Sequence, residues 1–163
     1  MSINQTHSYI VERHADGSVS ALARRAGESG ADYDAPLDPR RDLANESDDG
    51  RFDVGFPGSG AAQLAVALLA DAFEVPLNDE IPPAASFSLV LTHYAGLSRS
   101  LLARIGGGAT GGPFRWEITR AALIRLVEKA QSRGWDAVAE EFDRNRAYAP
   151  EHVGEQAFRR TKS

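Results

Sequence analysis

The chain of 163 residues contains no cysteine. Disulfide bonds, thiolate nucleophiles, cysteine-ligated zinc and iron–sulfur clusters are therefore excluded. Uninterrupted apolar runs long enough to span a bilayer are also missing, and residues 1–7 lack the basic and apolar regions of a signal peptide. We therefore expect a cytoplasmic protein that has no membrane partner.

Lysine is scarce, at two residues against sixteen arginines, and the net charge of -5 is unevenly distributed. Residues 1–82 carry six arginines and fifteen acidic residues, which gives -9, whereas residues 83–163 carry twelve basic and eight acidic residues, which gives +4. Two solvated faces of different charge would explain this division. An acidic surface that meets a basic partner would explain it as well, because complementary charge raises encounter rate and selectivity.

A glycine-rich turn that leads into the most apolar helix is the strongest structural signal. Gly58, Ser59 and Gly60 precede an apolar stretch over residues 61–73, and Ser59 is a candidate N-cap for that helix. The apolar positions extend most of the way around the helix, which predicts that it lies at the centre of the fold. Free amides at its N-terminus also make this turn a candidate anion or nucleotide site.

The turn and the residues before it resemble a known family. The residues that carry the resemblance are Leu43, Asn45, Ser47, Gly50 and Phe52, followed by Gly55-Phe56-x-Gly58-Ser59-Gly60-x-x-Gln63-Leu64-Ala65-x-Ala67-Leu68-Leu69-Ala70. They are similar to an uncharacterised bacterial and phage family of unknown function, which has a Gly-Ser-Gly-x-x-Gln-Leu-Ala hallmark. The resemblance implies an N-terminal hairpin, this turn and helix, further helices, and a mobile-element setting.

The rest of the pattern predicts an α+β domain over residues 1–143, in which a β-hairpin and short strands pack on three or four helices. Asp16-Gly17 suits the hairpin turn, with Tyr9, Val11, Val19 and Leu22 on its apolar side. Residues 26–53 are expected to be an irregular exposed connection.

The pattern also predicts a short strand over residues 51–56, a strand near 113–119, and further helices near 86–105, 120–133 and 135–143. Val90 and Leu97 mark the core side of the first of these helices, and Thr119 is a candidate cap of the second. Residues 106–112 are expected to be a flexible glycine loop, and residues 144–163 a polar tail.

No catalytic residue, metal or cofactor is predicted. Asp48-Asp49-Gly50 lacks the ligand spacing of a calcium loop, and the spacing of the glycines matches neither a P-loop nor a dinucleotide fingerprint. His93 lies on a predicted helix, where a satisfied core histidine is the default interpretation. Its catalytic alternative is a general base paired with Asp53 or Asp71.

These observations favour a non-catalytic protein that binds and modulates another protein. One concrete version is an accessory product of a phage or plasmid that inhibits a host defence complex by occlusion, with Asp32, Asp34, Asp48 and Asp49 as candidate contacts. Nucleic-acid binding through Arg99 and Arg104 is an alternative. A small enzyme or an anion binder at the turn from Gly58 to Gly60 is another.

Overall fold

The computed structural model describes residues 6–77, 84–108 and 111–148. The strands are β1 (Thr6–Arg13), β2 (Val19–Ala26), β3 (Asp32–Pro36) and β4 (Phe114–Thr119). The helices are α1 (Ser59–Ala72), α2 (Ala84–Leu97), α3 (Arg120–Arg133) and α4 (Trp135–Tyr148), and α2 continues into a π-helical turn at Ser98–Leu102. Strands and helices together confirm the α+β class.

The strands form one antiparallel sheet in the order β3-β2-β1-β4. The predicted hairpin is confirmed, and Tyr9 and Val11 face the helices in the core. The assignment of Leu22 to that side was wrong, because Leu22 pairs with Ile10 on the opposite face and Ala23 takes the inward position. The period of two along a strand requires this alternation.

Strand β3 lies inside the stretch that we expected to be irregular. Its five residues are mostly exposed and include two aspartates and a proline, which are uncommon in strands. Pairing with β2 makes them a strand. The predicted strand before the glycine turn is reduced to one isolated bridge, between Phe52 and Val19.

Helix α1 is central, as predicted, with eleven of its 14 residues buried. It begins at Ser59 rather than near residue 61, and Gly58 occupies the N-cap position in an extended conformation. The proposal that Ser59 caps the helix was therefore wrong, and no side chain supplies a cap hydrogen bond there. The amide of Ala62 instead donates to the carbonyl oxygen of Gly58.

The remaining helices follow the predicted pattern: α3 has the predicted bounds, α2 begins two residues earlier than predicted, and α4 ends later. Thr119 caps α3 as predicted, because its Oγ1 accepts a hydrogen bond from the amide of Ala122 at 3.0 Å. Helix α4 runs to Tyr148 and so includes the first five residues of the predicted tail, and the rest of that tail, residues 149–163, lies outside the described residues. Within the described ranges, no helix has the length and apolar character needed to cross a membrane.

Candidate functional site

The predicted anion site at Gly58, Ser59 and Gly60 lies against a carboxylate of the chain itself. A Cβ atom at Gly60 would lie 2.7 Å from Oδ2 of Asp53. Burial raises the pKa of Asp53, and the nearby Arg13 guanidinium opposes that rise. Helix N-terminal amides attract anions. The carboxylate of Asp53 lies beside Gly60 and already places a negative charge at this helix end. Anion binding at this turn stays a prediction, and it requires Asp53 to be protonated or displaced.

Gln63, the glutamine of the hallmark, is fully buried and uses all four hydrogen-bonding positions of its amide. Its Nε2 donates to the carbonyl oxygens of Pro39 at 2.6 Å and Ala44 at 2.9 Å. Its Oε1 accepts from the amides of Glu46 at 2.8 Å and Ser47 at 3.0 Å. One side chain of α1 thus holds the acidic loop over residues 37–53, which precedes the glycine turn.

Arg40 fixes the other end of the same loop. Its guanidinium is nearly inaccessible to solvent and donates to the carbonyl oxygens of Val75 at 2.7 Å and Pro76 at 2.9 Å. The same group donates to both carboxylate oxygens of Asp42, at 3.1 and 3.0 Å. The loop is therefore attached to both ends of α1. It is irregular and largely exposed, as expected, and Gln63 and Arg40 hold it in place.

Asp32 and Asp34, two of the four predicted contact carboxylates, lie on β3 and are exposed. Arg24 donates to both oxygens of Asp34, at 3.0 and 3.3 Å, and this pairing lowers the pKa of Asp34. His7 Nε2 lies 3.2 Å from Oδ1 of Asp32. The charge that these two carboxylates could present to a partner is partly compensated within the sheet.

Asp48 and Asp49, the other two predicted contacts, lie in the loop before Phe52. Both are exposed, and Asp49 accepts from the Arg51 amide at 3.0 Å and pairs with the Arg51 guanidinium at 3.0 Å. Phe52 bridges to Val19 at the start of β2, whereas β3 pairs with the later residues of β2. The four carboxylates therefore form two separate pairs rather than one patch.

The two candidate nucleic-acid contacts, Arg99 and Arg104, lie at the end of the long second helical segment. Arg99 is exposed on the π-helical turn. Arg104 Nη1 lies 2.5 Å from Oδ2 of Asp143 on α4. Because that carboxylate compensates one of the two cations, the structure leaves Arg99 as the stronger candidate contact of the pair.

Arg13 organises the glycine loop over 106–112, and sequence patterns did not indicate this role. Its buried guanidinium donates to the carbonyl oxygens of Val54 at 3.0 Å, Gly106 at 2.9 Å, Gly108 at 3.0 Å, Gly111 at 2.9 Å and Gly112 at 3.4 Å. The described residues of the loop, 106–108 and 111–112, are thus tied to the glycine turn before α1. We expected a flexible loop from its composition, and the carbonyl contacts fix these residues instead.

Gly55 is required where the glycine turn meets Arg13. Its φ of +89° lies in the region that favours glycine, and a Cβ atom there would lie 2.6 Å from Arg13 Nη2. Its amide donates to the carbonyl oxygen of Leu102 at 2.8 Å. The turn therefore brings α1, β1 and the end of the second helical segment together.

His93 lies in the contact between α2 and α4. Its Nδ1 accepts a hydrogen bond from Trp135 Nε1 at 3.1 Å, and the two ring centroids lie 5.9 Å apart. Gly96 makes room for the indole, since a Cβ atom there would lie 2.1 Å from the Trp135 ring. The default interpretation of His93 as a satisfied core histidine fits this geometry.

Asp71, one proposed carboxylate partner of His93, is engaged by other groups. Tyr9 donates its hydroxyl to Asp71 Oδ2 at 2.7 Å, and Arg25 donates to Oδ1 at 2.9 Å. Burial, followed by the negative charge of Asp71, raises the pKa of Tyr9. The other proposed partner, Asp53, precedes α1 and lies beside Gly60 in its first turn. The pairing of His93 with either carboxylate stays a prediction.

The contact of His93 with Trp135 predicts a loss of stability in acid. Burial lowers the pKa of His93 below its usual 6.5, so the unfolded chain binds more protons as the pH falls through 6.5. We expect the free energy of unfolding to fall between pH 7.5 and 5.5. Urea titrations at both pH values measure it. His93→Gln keeps an acceptor without a titrating group, so an equally large fall in that variant would contradict the assignment.

The exposed face of α2 is the feature that sequence reasoning missed. The helix AASFSLVLTHYAGL has no Asp, Glu, Lys or Arg, in a chain that is 25% charged. Its core side was predicted from Val90 and Leu97, which are buried. Its other side is open to solvent, and Leu91 is 41% exposed. The residues exposed on this face are Ala84, Ala85, Ser88, Leu91, Thr92 and Ala95.

A signal for this face was present in the sequence. A surface helix ordinarily carries charged residues opposite its core side. Leu91 and Ala95 are four residues apart and Phe87, which is half-buried, precedes Leu91 by the same spacing, so the three share one side of the helix. Exposed Arg99 follows Ala95 by four residues. We call Phe87, Leu91 and Ala95, with Arg99 at the rim, the α2 face.

Residues 17–82 match a family model. It is described as a family of unknown function, DUF6166, and the match includes the residues 43–70 that carry the hallmark. Every contact given above for Gln63 and Arg40 joins two residues inside the matched stretch. No curated protein and no solved structure matches the chain. The similarity therefore covers β2, β3 and α1 and carries no activity.

Within the described part of the chain, no group of three or more His, Asp or Glu side chains is arranged to hold a metal ion. The buried side chains of Gln63, Arg40 and Arg13 all donate hydrogen bonds to backbone carbonyl oxygens. The α2 face is different, because its apolar side chains are open to solvent. It is the surface that the geometry offers most directly to another molecule.

Proposed function

We propose that this chain is a non-catalytic interaction protein that binds an apolar surface of another protein through the α2 face. The observation that carries the proposal is a 14-residue helix without charge, whose side away from the core exposes Leu91 and Ala95. A partner that covers this side would remove water from no charged group of the helix, and the first charged group that it would meet is Arg99 at the rim. Apolar cores with polar rims are the usual anatomy of protein interfaces.

The partner chemistry follows from the same face. Leu91, Ala95 and Phe87 offer an apolar stripe with small residues beside it, which suits a helix or an apolar groove of the partner. Each square ångström of apolar surface removed from water contributes about 25 cal/mol. An anionic group at the edge of the partner's surface would meet Arg99.

Inhibition of a host defence complex by a product of a mobile element is the finer version of this proposal. The acidic first half would then raise the encounter rate with a basic partner, and the α2 face would supply the affinity. Reversing the charge of Asp32, Asp34, Asp48 and Asp49 together tests the electrostatic part. Unchanged association at low salt would remove these carboxylates from the proposal.

Leu91→Glu is expected to abolish recovery of the partner by the tagged protein. The substitution places a charge in the centre of the α2 face, where binding would desolvate it. The measurement is affinity purification at low salt from extracts of the native host, with and without nuclease, followed by identification of the recovered proteins. Tyr33→Glu is the matched control, because Tyr33 is 52% exposed on β3.

The proposal requires one protein that wild type and Tyr33→Glu recover after nuclease treatment and Leu91→Glu does not. Equal recovery of that protein by Leu91→Glu would show that it binds elsewhere. Recovery that disappears with nuclease would favour nucleic-acid binding instead. In that case neutralising Arg99 should reduce the slope of log affinity against log salt.

A further inference from the structure

Strand β4 forms one edge of the sheet and differs from the strand at the other edge. Among the described strands β4 pairs with β1 alone. β3, at the opposite edge, is short, ends in Pro36 and exposes Asp32 and Asp34, which are features that discourage strand pairing. β4 has six residues and no proline. Alternate residues of an edge strand leave their amides and carbonyls unpaired.

A cleft of about 210 Å³ runs beside this edge. Its lining includes three consecutive residues of β4, namely Trp116, Glu117 and Ile118. Because consecutive residues of a strand point to opposite faces, a cleft that touches all three reaches the open edge of the strand. Leu126 of α3 and Phe142 of α4 line the opposite wall. The edge is therefore bordered by an open cleft whose lining is mainly apolar and also includes Glu117, Lys129, Glu141 and Asn145.

The sequence of β4 complements itself when it is read against a second copy in the antiparallel direction. With Trp116 opposite the partner's Trp116, Arg115 lies opposite the partner's Glu117, and Glu117 lies opposite the partner's Arg115. Phe114 then faces the partner's Ile118. Apolar side chains meet on the face that bears the helices, and opposite charges meet on the other face.

We propose that two copies of the chain associate through β4 in this register and form a continuous eight-stranded sheet. The occupant of the open edge is a second β4, because the strand complements itself. The register with Trp116 opposite the partner's Trp116 is more compatible than the neighbouring registers. A shift of two residues in one direction places Arg115 opposite the partner's Arg115. A shift in the other direction places Glu117 opposite the partner's Glu117. Like charges directly opposite are destabilising.

A shift by one residue is also unfavourable. It would bring Trp116 opposite the partner's Glu117. The apolar side chains of one strand would then lie opposite the charged side chains of the other. In the proposed register, the partner strand would close the open side of the cleft beside Ile118 and Phe142. This surface is separate from the α2 face, so Leu91→Glu should leave self-association unchanged. The two proposals can therefore fail independently.

Charge reversal tests the proposed register. Glu117→Arg and Arg115→Glu should each weaken dimerisation by about tenfold or more at low salt, because each places like charges opposite one another twice in the dimer. The double variant Arg115→Glu/Glu117→Arg restores opposite charges and should recover dimerisation. Sedimentation equilibrium gives the association constants, and urea unfolding shows that each variant is folded. A wild type that stays monomeric, or a double variant as weak as the single variants, would overturn the proposal.

Cysteine cross-linking tests the geometry directly, because the chain has no cysteine of its own. Arg115→Cys and Glu117→Cys are prepared separately, mixed and oxidised. The proposed register places these two thiols opposite each other and keeps one opposite-charge pair, so the mixture should form a disulfide dimer. Each variant alone places equivalent residues too far apart for a disulfide. Cross-linking of either variant with itself, or none in the mixture, contradicts this register.

Discussion

Gln63→Ala is expected to lower the free energy of unfolding by about 2–4 kcal/mol, because it removes all four hydrogen bonds of a fully buried side chain in one substitution. The carbonyls of Pro39 and Ala44 lose their donor, and the amides of Glu46 and Ser47 lose their acceptor. A buried polar group without a partner costs more than a hydrogen bond contributes on average. Urea unfolding followed by circular dichroism measures the change.

Gln131→Ala is the matched control for this prediction. Gln131 is exposed on α3, so the same chemical change should alter stability by less than about 0.5 kcal/mol. Amide hydrogen exchange adds a local measurement, since the Glu46 and Ser47 amides should lose protection in Gln63→Ala. A fall in stability no larger than that of Gln131→Ala would show that the loop does not depend on Gln63.

Arg13→Met is expected to destabilise the protein by about 3 kcal/mol or more, because five carbonyl oxygens lose a buried donor together. These carbonyls belong to Val54 and to the glycine loop over 106–112, so the substitution separates two segments that the guanidinium now joins. The free energy of unfolding in urea is the primary measurement. The exchange rate of the Gly55 amide, which donates to Leu102, should also rise.

Two further variants make the prediction for Arg13 specific. Arg13→Lys keeps the charge but not the planar fork, so it should recover only part of the stability. Arg51→Met is the control, because the Arg51 side chain is 82% exposed and its ion pair with Asp49 lies at the surface. Surface ion pairs contribute about 0–1 kcal/mol. Full stability of Arg13→Lys would mean that charge alone holds the loop.

Local signals in the sequence were sufficient for the features that depend on neighbouring residues. Asp16-Gly17 gave the hairpin, and Gly17 has the positive φ that its turn requires. Thr119 gave the start of α3, because a cap uses an amide only three residues away. The apolar surface of α1 gave its central position. Each of these inferences needs only residues that are close in the sequence.

Contacts between distant residues account for what was missed. Arg13 bonds to carbonyls that lie 41 to 99 residues away, and nothing in its local sequence indicates them. β3 is a strand because β2 pairs with it, although its aspartates and its proline are uncommon in strands. The resemblance included Gln63 in its hallmark but did not show what Gln63 bonds to, since its four partners lie in a loop 16 to 24 residues earlier.

The pairing of β1 with β4 has a consequence for synthesis on the ribosome. β1 ends at Arg13 and β4 begins at Phe114, so about 100 residues are translated between them. At about 5–20 residues per second, the outer edge of β1 waits about 5–20 seconds for its partner strand. During that interval β2, β3 and α1 can already assemble against it. The nascent chain therefore passes through a three-stranded stage whose exposed edge is a target for chaperones and for misassociation.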